Sequence, residues 1–218
     1  MALEPDLIIV QECEQPSKIS GLDWNEQFWM GDNPHKGIGV FSFNDVHISK
    51  PVREEARFNL ILPFRITSPV EINCLGIWTK NDIIHHERRY IGTAYLALHH
   101  YASMLDVVPA IVAGDLNWNK NFDRKPKWSL AGNMQDVVEF LQGTNVYSLY
   151  HEIRGMEFGT ECEQTYYHQY NEEKGYHTDY IFASKELIDD TISFEIGNFA
   201  DWRTTSDHVP LSWEFSNL

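Results

Sequence analysis

Cysteine is scarce in this chain. Cys13, Cys74 and Cys162 are its three thiols among 218 residues, too few and too scattered for a disulfide framework or a zinc site, so reduced thiols are expected. Long apolar runs are missing as well. The longest, at residues 7–10 and 110–113, fall far short of the ~20 residues that cross a bilayer, so no membrane partner is expected. The opening Met-Ala-Leu-Glu-Pro-Asp has neither a basic start nor an apolar stretch before a small-residue cleavage site. No secretory leader is therefore expected, and the cytoplasm is the expected compartment.

Positive charge is also short. Seventeen Lys and Arg stand against 32 Asp and Glu, a formal balance of −15. A long duplex must be met by cations that displace its condensed counterions, so an extended DNA footprint is disfavoured. Part of the acidic excess fits a metal site, because carboxylates converging on Mg²⁺ relieve one another's repulsion through the ion. No repeat of ~20–50 residues and no Pro-, Gly- or Ser-rich linker divides the chain, so residues 1–218 are expected to form one domain.

What is present is a series of short apolar, β-branched runs. They fall at residues 7–11, 37–43, 58–64, 73–78, 110–113, 165–170, 180–183, 192–196 and 211–215, and the period of these runs predicts nine strands. Tyr95, Leu98, Ala102 and Leu105 fall at helical spacing and predict a helix over 92–105. Met134, Val137, Val138 and Leu141 predict another over 134–141. Nine strands are too many for one small sheet, and the helices lie between strands rather than in a block. The pattern therefore predicts an α/β fold, a four-layer α/β/β/α sandwich of two packed mixed sheets flanked by helices.

Four local motifs carry chemistry. The run at 110–113 ends in Gly114, after which Asp115 and Asn117 alternate. Strand period puts a carboxylate and a carboxamide on one side, where they can orient a water and grip a phosphate oxygen. The same composition is ordinary turn chemistry. Ser206-Asp207-His208-Val209-Pro210 precedes the last strand, so an acid able to face a metal adjoins an imidazole able to reach a phosphate. Asp179 opens the strand at 180–183 and could fix an imidazole tautomer or merely cap the strand. Glu12 ends the apolar strand at 7–11, an odd place for a charge unless it is paired or ligates a cation.

Together, Gln11-Glu12, Gly114-Asp115-Leu116-Asn117, Asp179-Tyr180 and Ser206-Asp207-His208-x-Pro210 occur in an order and spacing that resembles the endonuclease/exonuclease/phosphatase superfamily, of deoxyribonuclease I type. The resemblance runs from Leu7 to Phe215. It implies the four-layer sandwich and hydrolysis of phosphate esters with Mg²⁺, or Mn²⁺ in its place. It implies that Glu12 is a metal ligand and that Asp207 completes or supports the metal site. It further implies that Asp115 and His208 share the handling of the water, that Asn117 contacts phosphate and that Asp179 orients His208.

The chain departs from that pattern twice. Relatives begin with a strand bearing an Asn that serves the metal site. Here the sequence opens directly before the Glu12 strand, so an N-terminally truncated domain is expected, with an exposed sheet edge open to a partner chain or a homo-oligomer. Trp78 stands where relatives carry a His or Tyr that protonates the leaving group or binds phosphate. An indole NH only donates. Asn81 resembles an asparagine that follows that position in abasic-site endonucleases.

Aromatic and basic residues adjoin the expected site, in the stretch from Trp24 to Gly39 and in the loop from Trp118 to Trp128, which carries Lys120, Arg124, Lys125 and Lys127. Trp78, Asn81, Lys120 and Lys125 are the expected substrate contacts. The substrate expected is a short or single-stranded nucleic acid or a nucleotide. A phosphomonoesterase of small or lipid-headgroup substrates, and a remnant that binds without turnover, are the alternatives.

Overall fold

The computed structural model describes residues 4–51, 57–106, 109–124 and 129–216. Lys125, Lys127 and Trp128 lie outside the described residues. The strands are β1 (Leu7–Cys13), β2 (Gln27–Asn33), β3 (Lys36–Ser42), β4 (His47–Ser49), β5 (Ile61–Ser68), β6 (Ile72–Trp78), β7 (Ala110–Asp115), β8 (Val146–Ser148), β9 (Tyr166–Tyr167), β10 (Gly175–Tyr176), β11 (Asp179–Ser184), β12 (Thr191–Ile196) and β13 (Leu211–Phe215). The helices are α1 (Ile91–His100), α2 (Ala102–Leu105), α3 (Met134–Gly143), α4 (Leu149–Arg154), α5 (Lys185–Asp189) and α6 (Phe199–Trp202).

Six strands form the main sheet in the order β4-β5-β6-β7-β11-β8. Its central pair, β6 and β7, is parallel and every other pairing is antiparallel. A parallel pair needs cover on both faces, and the alternation of side chains supplies it. Leu75, Ile77, Val112 and Phe182 point into one core with Ile91, Ala94 and Leu98 of α1 and with Met134, Val137 and Leu141 of α3. Ile72, Cys74, Trp78, Ile111 and Ala183 point into a second core. There they meet Ile38 and Val40 of the three-stranded sheet β1-β3-β2 and Phe194 of the ribbon β12–β13. Each fully buried aliphatic side chain contributes roughly 1.5–3 kcal/mol relative to exposure. The architecture is an α/β sandwich of packed sheets with helices, as the strand count and helix placement predict.

The helix expected over 92–105 is two helices. Its N–H to carbonyl ladder reaches Tyr101, whose N–H bonds Ala97 O, and there ψ opens to 16° before α2 begins. The strand expected over 165–170 pairs only at β9, because Gln169 and Tyr170 both turn into the left-handed region at φ +56°. The sequence reading missed β2, whose Phe28 and Met30 pack on the second core; the strand falls in the aromatic and basic stretch from Trp24 to Gly39. Among the described residues, the outer edges of β1 and β13 have no strand neighbour.

Registers gather the motifs at one end of the sandwich. In the main sheet Trp78 lies beside Asp115 and Asp115 beside Asp179, a row across three strands. β1 packs across the ends of β6 and β7, and an isolated bridge joins Tyr166 to His208. Among the described residues no helix is long and apolar enough to cross a membrane.

Candidate active site

Gly114 is what lets β7 deliver Asp115. Its φ is +140°, and a Cβ there would stand 1.9 Å from the carbonyl oxygen of Ile77. Only glycine permits that approach of β7 to β6. Asp115 then lies at the end of β7, 3% exposed. One of its oxygens accepts the Asn117 N–H at 2.7 Å, and the other accepts the Asn117 amide. Asn117 turns into the left-handed region, φ +47°, and its amide also donates to Thr79 O at 2.9 Å. The two polar side chains expected on one side are therefore joined to each other.

Asp179 holds His208. Its Oδ2 lies 3.0 Å from His208 Nδ1 and accepts from the hydroxyls of Thr165, at 2.7 Å, and Thr178, at 3.2 Å. The buried Thr165 hydroxyl also accepts the N–H groups of Thr178 and Asp179, each at 3.0 Å. With Nδ1 engaged, Nε2 is the ring nitrogen left for a reacting group. Ligand atoms of Asp115, Asp179 and His208 all lie within 4.8 Å of one another.

The electrostatics follow from crowding. Burial, the charge of Asp179 and that of Glu12 push the Asp115 carboxyl well above the usual carboxylate range, against His208 and the Asn117 N–H. Burial pulls the His208 imidazole down, but the Asp179 hydrogen bond and the charges of Asp179, Asp115 and Asp207 outweigh it and raise it to about 9. Burial together with Asp207, Asp115 and Glu12 also raises the Tyr166 phenol. The fields of Glu12 and Asp207, from opposite ends of the chain, thus meet at Tyr166.

Glu12 reaches this end through a bulge. The β1–β3 register slips between Val10 and Cys13, and Glu12 itself takes φ +57°. Bulges and strained residues of this kind re-aim side chains. Its carboxylate is 2.8 Å from Lys36 Nζ. Glu12, Trp78, Asn81 and Asn117 line a cavity of about 430 Å³, with Lys36 and Lys80 among its walls.

Trp78 is 2% exposed and presents its ring to two ammonium groups, Lys80 at 4.8 Å and Lys36 at 5.8 Å. Lys120 stands away from the cavity wall, on a 3₁₀ turn where it pairs with Asp123 at 3.0 Å. A feature the sequence reading missed is an aromatic wall. Tyr166 lies 4.7 Å from the His208 ring, Tyr176 follows at 6.3 Å, and Phe122 at 5.7 Å from Tyr176. Tyr166 and Tyr176 come together only because β9 pairs with β10, which no local pattern announced.

A divalent ion suits this donor set. The carboxylates of Asp115 and Asp179 converge with His208 within 4.8 Å, and an oxygen-rich, acidic cluster is the chemistry that hard cations select.

The sequence matches no protein-family model and no curated protein. Solved structures do match. An AP endonuclease, LMAP, from Leishmania major superposes with a TM-score of 0.70 at 14% identity, covering 98% of this chain and 79% of that one. An AP endonuclease from Archaeoglobus fulgidus gives 0.70 at 17%, covering 98% and 90%. The 3′ phosphatase NExo from Neisseria, bound to product DNA hairpin, gives 0.68 at 15%, covering 97% and 89%. These likenesses establish the fold.

Proposed function

We propose that this chain, which has the DNase I-like α/β sandwich fold, hydrolyses phosphate esters of nucleic acid with a divalent ion, Mg²⁺ or Mn²⁺. The observation that carries the reading is the convergence of Asp115, Asp179 and His208 within 4.8 Å, inside the fields of Glu12 and Asp207. Glu12 and Asp207 would hold the ion, which would supply positive charge to offset that of the phosphate group. His208, charged at neutral pH and fixed by Asp179, donates from Nε2 to a phosphate oxygen. Asp115, whose raised affinity for a proton suits it to remove one, accepts from the attacking water. Asn117 donates its amide to a non-bridging oxygen once substrate displaces its contact with Asp115. No covalent intermediate on the protein is needed.

A short or single-stranded substrate fits better than a long duplex. The chain's balance of −15 opposes an extended footprint, while the Tyr166–Tyr176–Phe122 wall offers faces on which unstacked bases can lie. The neighbours act as AP endonucleases and as a 3′ phosphatase, so an oligonucleotide bearing an internal abasic site or a 3′ phosphate is the natural first probe. Incubation with Mg²⁺ should yield chain cleavage or free phosphate from these oligonucleotides and none from inositol phosphates. Release from inositol phosphates alone would favour a small-molecule phosphatase, and no product from any substrate would favour a binding module.

A further inference from the structure

Lys36 opens β3, and its ammonium stands 2.8 Å from Glu12 Oε2, the carboxylate assigned above to the divalent ion. The two side chains are half exposed, at 50% and 54%. The ammonium also lies 5.8 Å from the Trp78 ring and lines the cavity that Glu12, Asn81 and Asn117 share. Lys36 therefore borders both the carboxylate proposed for the ion and the space proposed for a substrate phosphate.

We infer that Lys36 is handed from Glu12 to the substrate: its ammonium neutralises Glu12 until a divalent ion claims that carboxylate, and then turns to a phosphate group of the nucleic acid. The inference rests on the divalent phosphate-ester reading. An exposed lysine–carboxylate pair shifts an equilibrium by only a few-fold, so an ion held by several carboxylates displaces it readily. A divalent ion on the Glu12 carboxylate repels an ammonium 2.8 Å from Oε2 and competes with it for that charge, which favours departure of the ammonium. Its four-carbon stem allows the swing, while the Trp78 face keeps it at the cavity rim. In a chain of charge −15, a cation released only by metal binding makes substrate affinity depend on the metal. By reciprocity, it makes metal affinity depend on what Lys36 holds.

The test is Lys36→Met, which keeps the stem and removes the charge. Two affinities are read without turnover: Mn²⁺ by electron paramagnetic resonance, and a fluorescein-labelled, phosphorothioate-linked single-stranded oligonucleotide by anisotropy in Mn²⁺. The inference expects opposite signs. Mn²⁺ should bind about three- to tenfold tighter and the oligonucleotide about three- to tenfold weaker, with Lys36→Arg close to wild type in both. Lys185→Met makes the same charge change beyond the far end of β11, ~20 Å of strand from Asp179, and should move each affinity less than about twofold. Both affinities falling together, or Mn²⁺ affinity unchanged in Lys36→Met, overturns the hand-over and leaves the phosphate-ester reading standing. A wild-type chain that binds no Mn²⁺ overturns that reading and the hand-over with it. Should Lys36→Met lose its near-UV circular dichroism, Lys36→Gln is measured in its place against the same outcomes.

Discussion

Asp179 Oδ2 lies 3.0 Å from His208 Nδ1, a contact between residues 29 positions apart that sets both the charge and the orientation of the imidazole. The imidazole is raised from the ordinary range near 6.5 to about 9. A group raised on folding stabilises fully below its unfolded pKa and loses that contribution as pH climbs through its folded pKa. The window here is about pH 6.5 to 9. Denaturant unfolding should therefore show wild type losing on the order of 2 kcal/mol relative to His208→Ala across that window. In proton NMR the His208 ring should titrate near pH 9.

Thr165 makes the contact possible. Its hydroxyl donates to Asp179 and accepts two backbone N–H groups, all in a fully buried position. Thr165→Val keeps the shape and strands those donors, at about 1–3 kcal/mol. It should also lower the His208 pKa and turnover, while Thr165→Ser should restore both. Unfolding curves and the NMR titration check this.

Asp115 shows where function opposes stability. Burial and neighbouring carboxylates strain its charged form, so Asp115→Asn should raise the metal-free melting temperature by a few degrees. Turnover should fall at least about a hundredfold, the usual scale for a lost acid–base group. Glu12→Gln and His208→Ala should lose comparable activity. A parallel thermal scan and ester-cleavage assay on the three variants provide the check.

Away from the chemistry, Glu161 pairs with His151 at 3.2 Å in the interior. It also accepts from the Gly159 N–H and, through Oε2, from Asn119, two residues beyond Asn117. Burial alone would raise this carboxyl, but the His151 bond and the backbone N–H groups lower it to about 2. A depressed carboxyl stabilises above its unfolded pKa near 4.3 and loses that contribution as pH falls toward 2. Glu161→Ala strips His151 Nε2 of its carboxylate partner, while Nδ1 keeps Ser148 Oγ at 2.7 Å, and should cost about 1–3 kcal/mol. Glu161→Gln should flatten the acid limb of the stability profile.

How much of this was legible follows from where each signal lies. Continuous apolar, β-branched runs in β6 and β7 and helical spacing in α3 are local, so the sandwich and its strands could be read directly. Asp115, Asn117, Asp179 and His208 could be named because each adjoins a strand end. Thr165, Glu161 and the Tyr166–Tyr176 wall could not, because each acquires meaning only through pairing with distant residues. Trp78 read as a substrate contact; it lines the cavity beside Asn81 and Asn117, but its place between Lys36 and Lys80 left no mark in the local sequence. Lys36 stood out only as one basic residue in an aromatic stretch, because the bulge that turns Glu12 toward it leaves no mark in composition.

One measurement bears most directly on the claim that Glu12 and Asp207 hold a single divalent ion with the His208 ring nearby. Substoichiometric Mn²⁺ is added to the protein while the ring protons of its ten histidines are followed by NMR, since paramagnetic broadening falls steeply with distance. The account predicts that His208 broadens first and that Glu12→Gln abolishes the effect. Broadening led by His47 or His99 with His208 left sharp would contradict it.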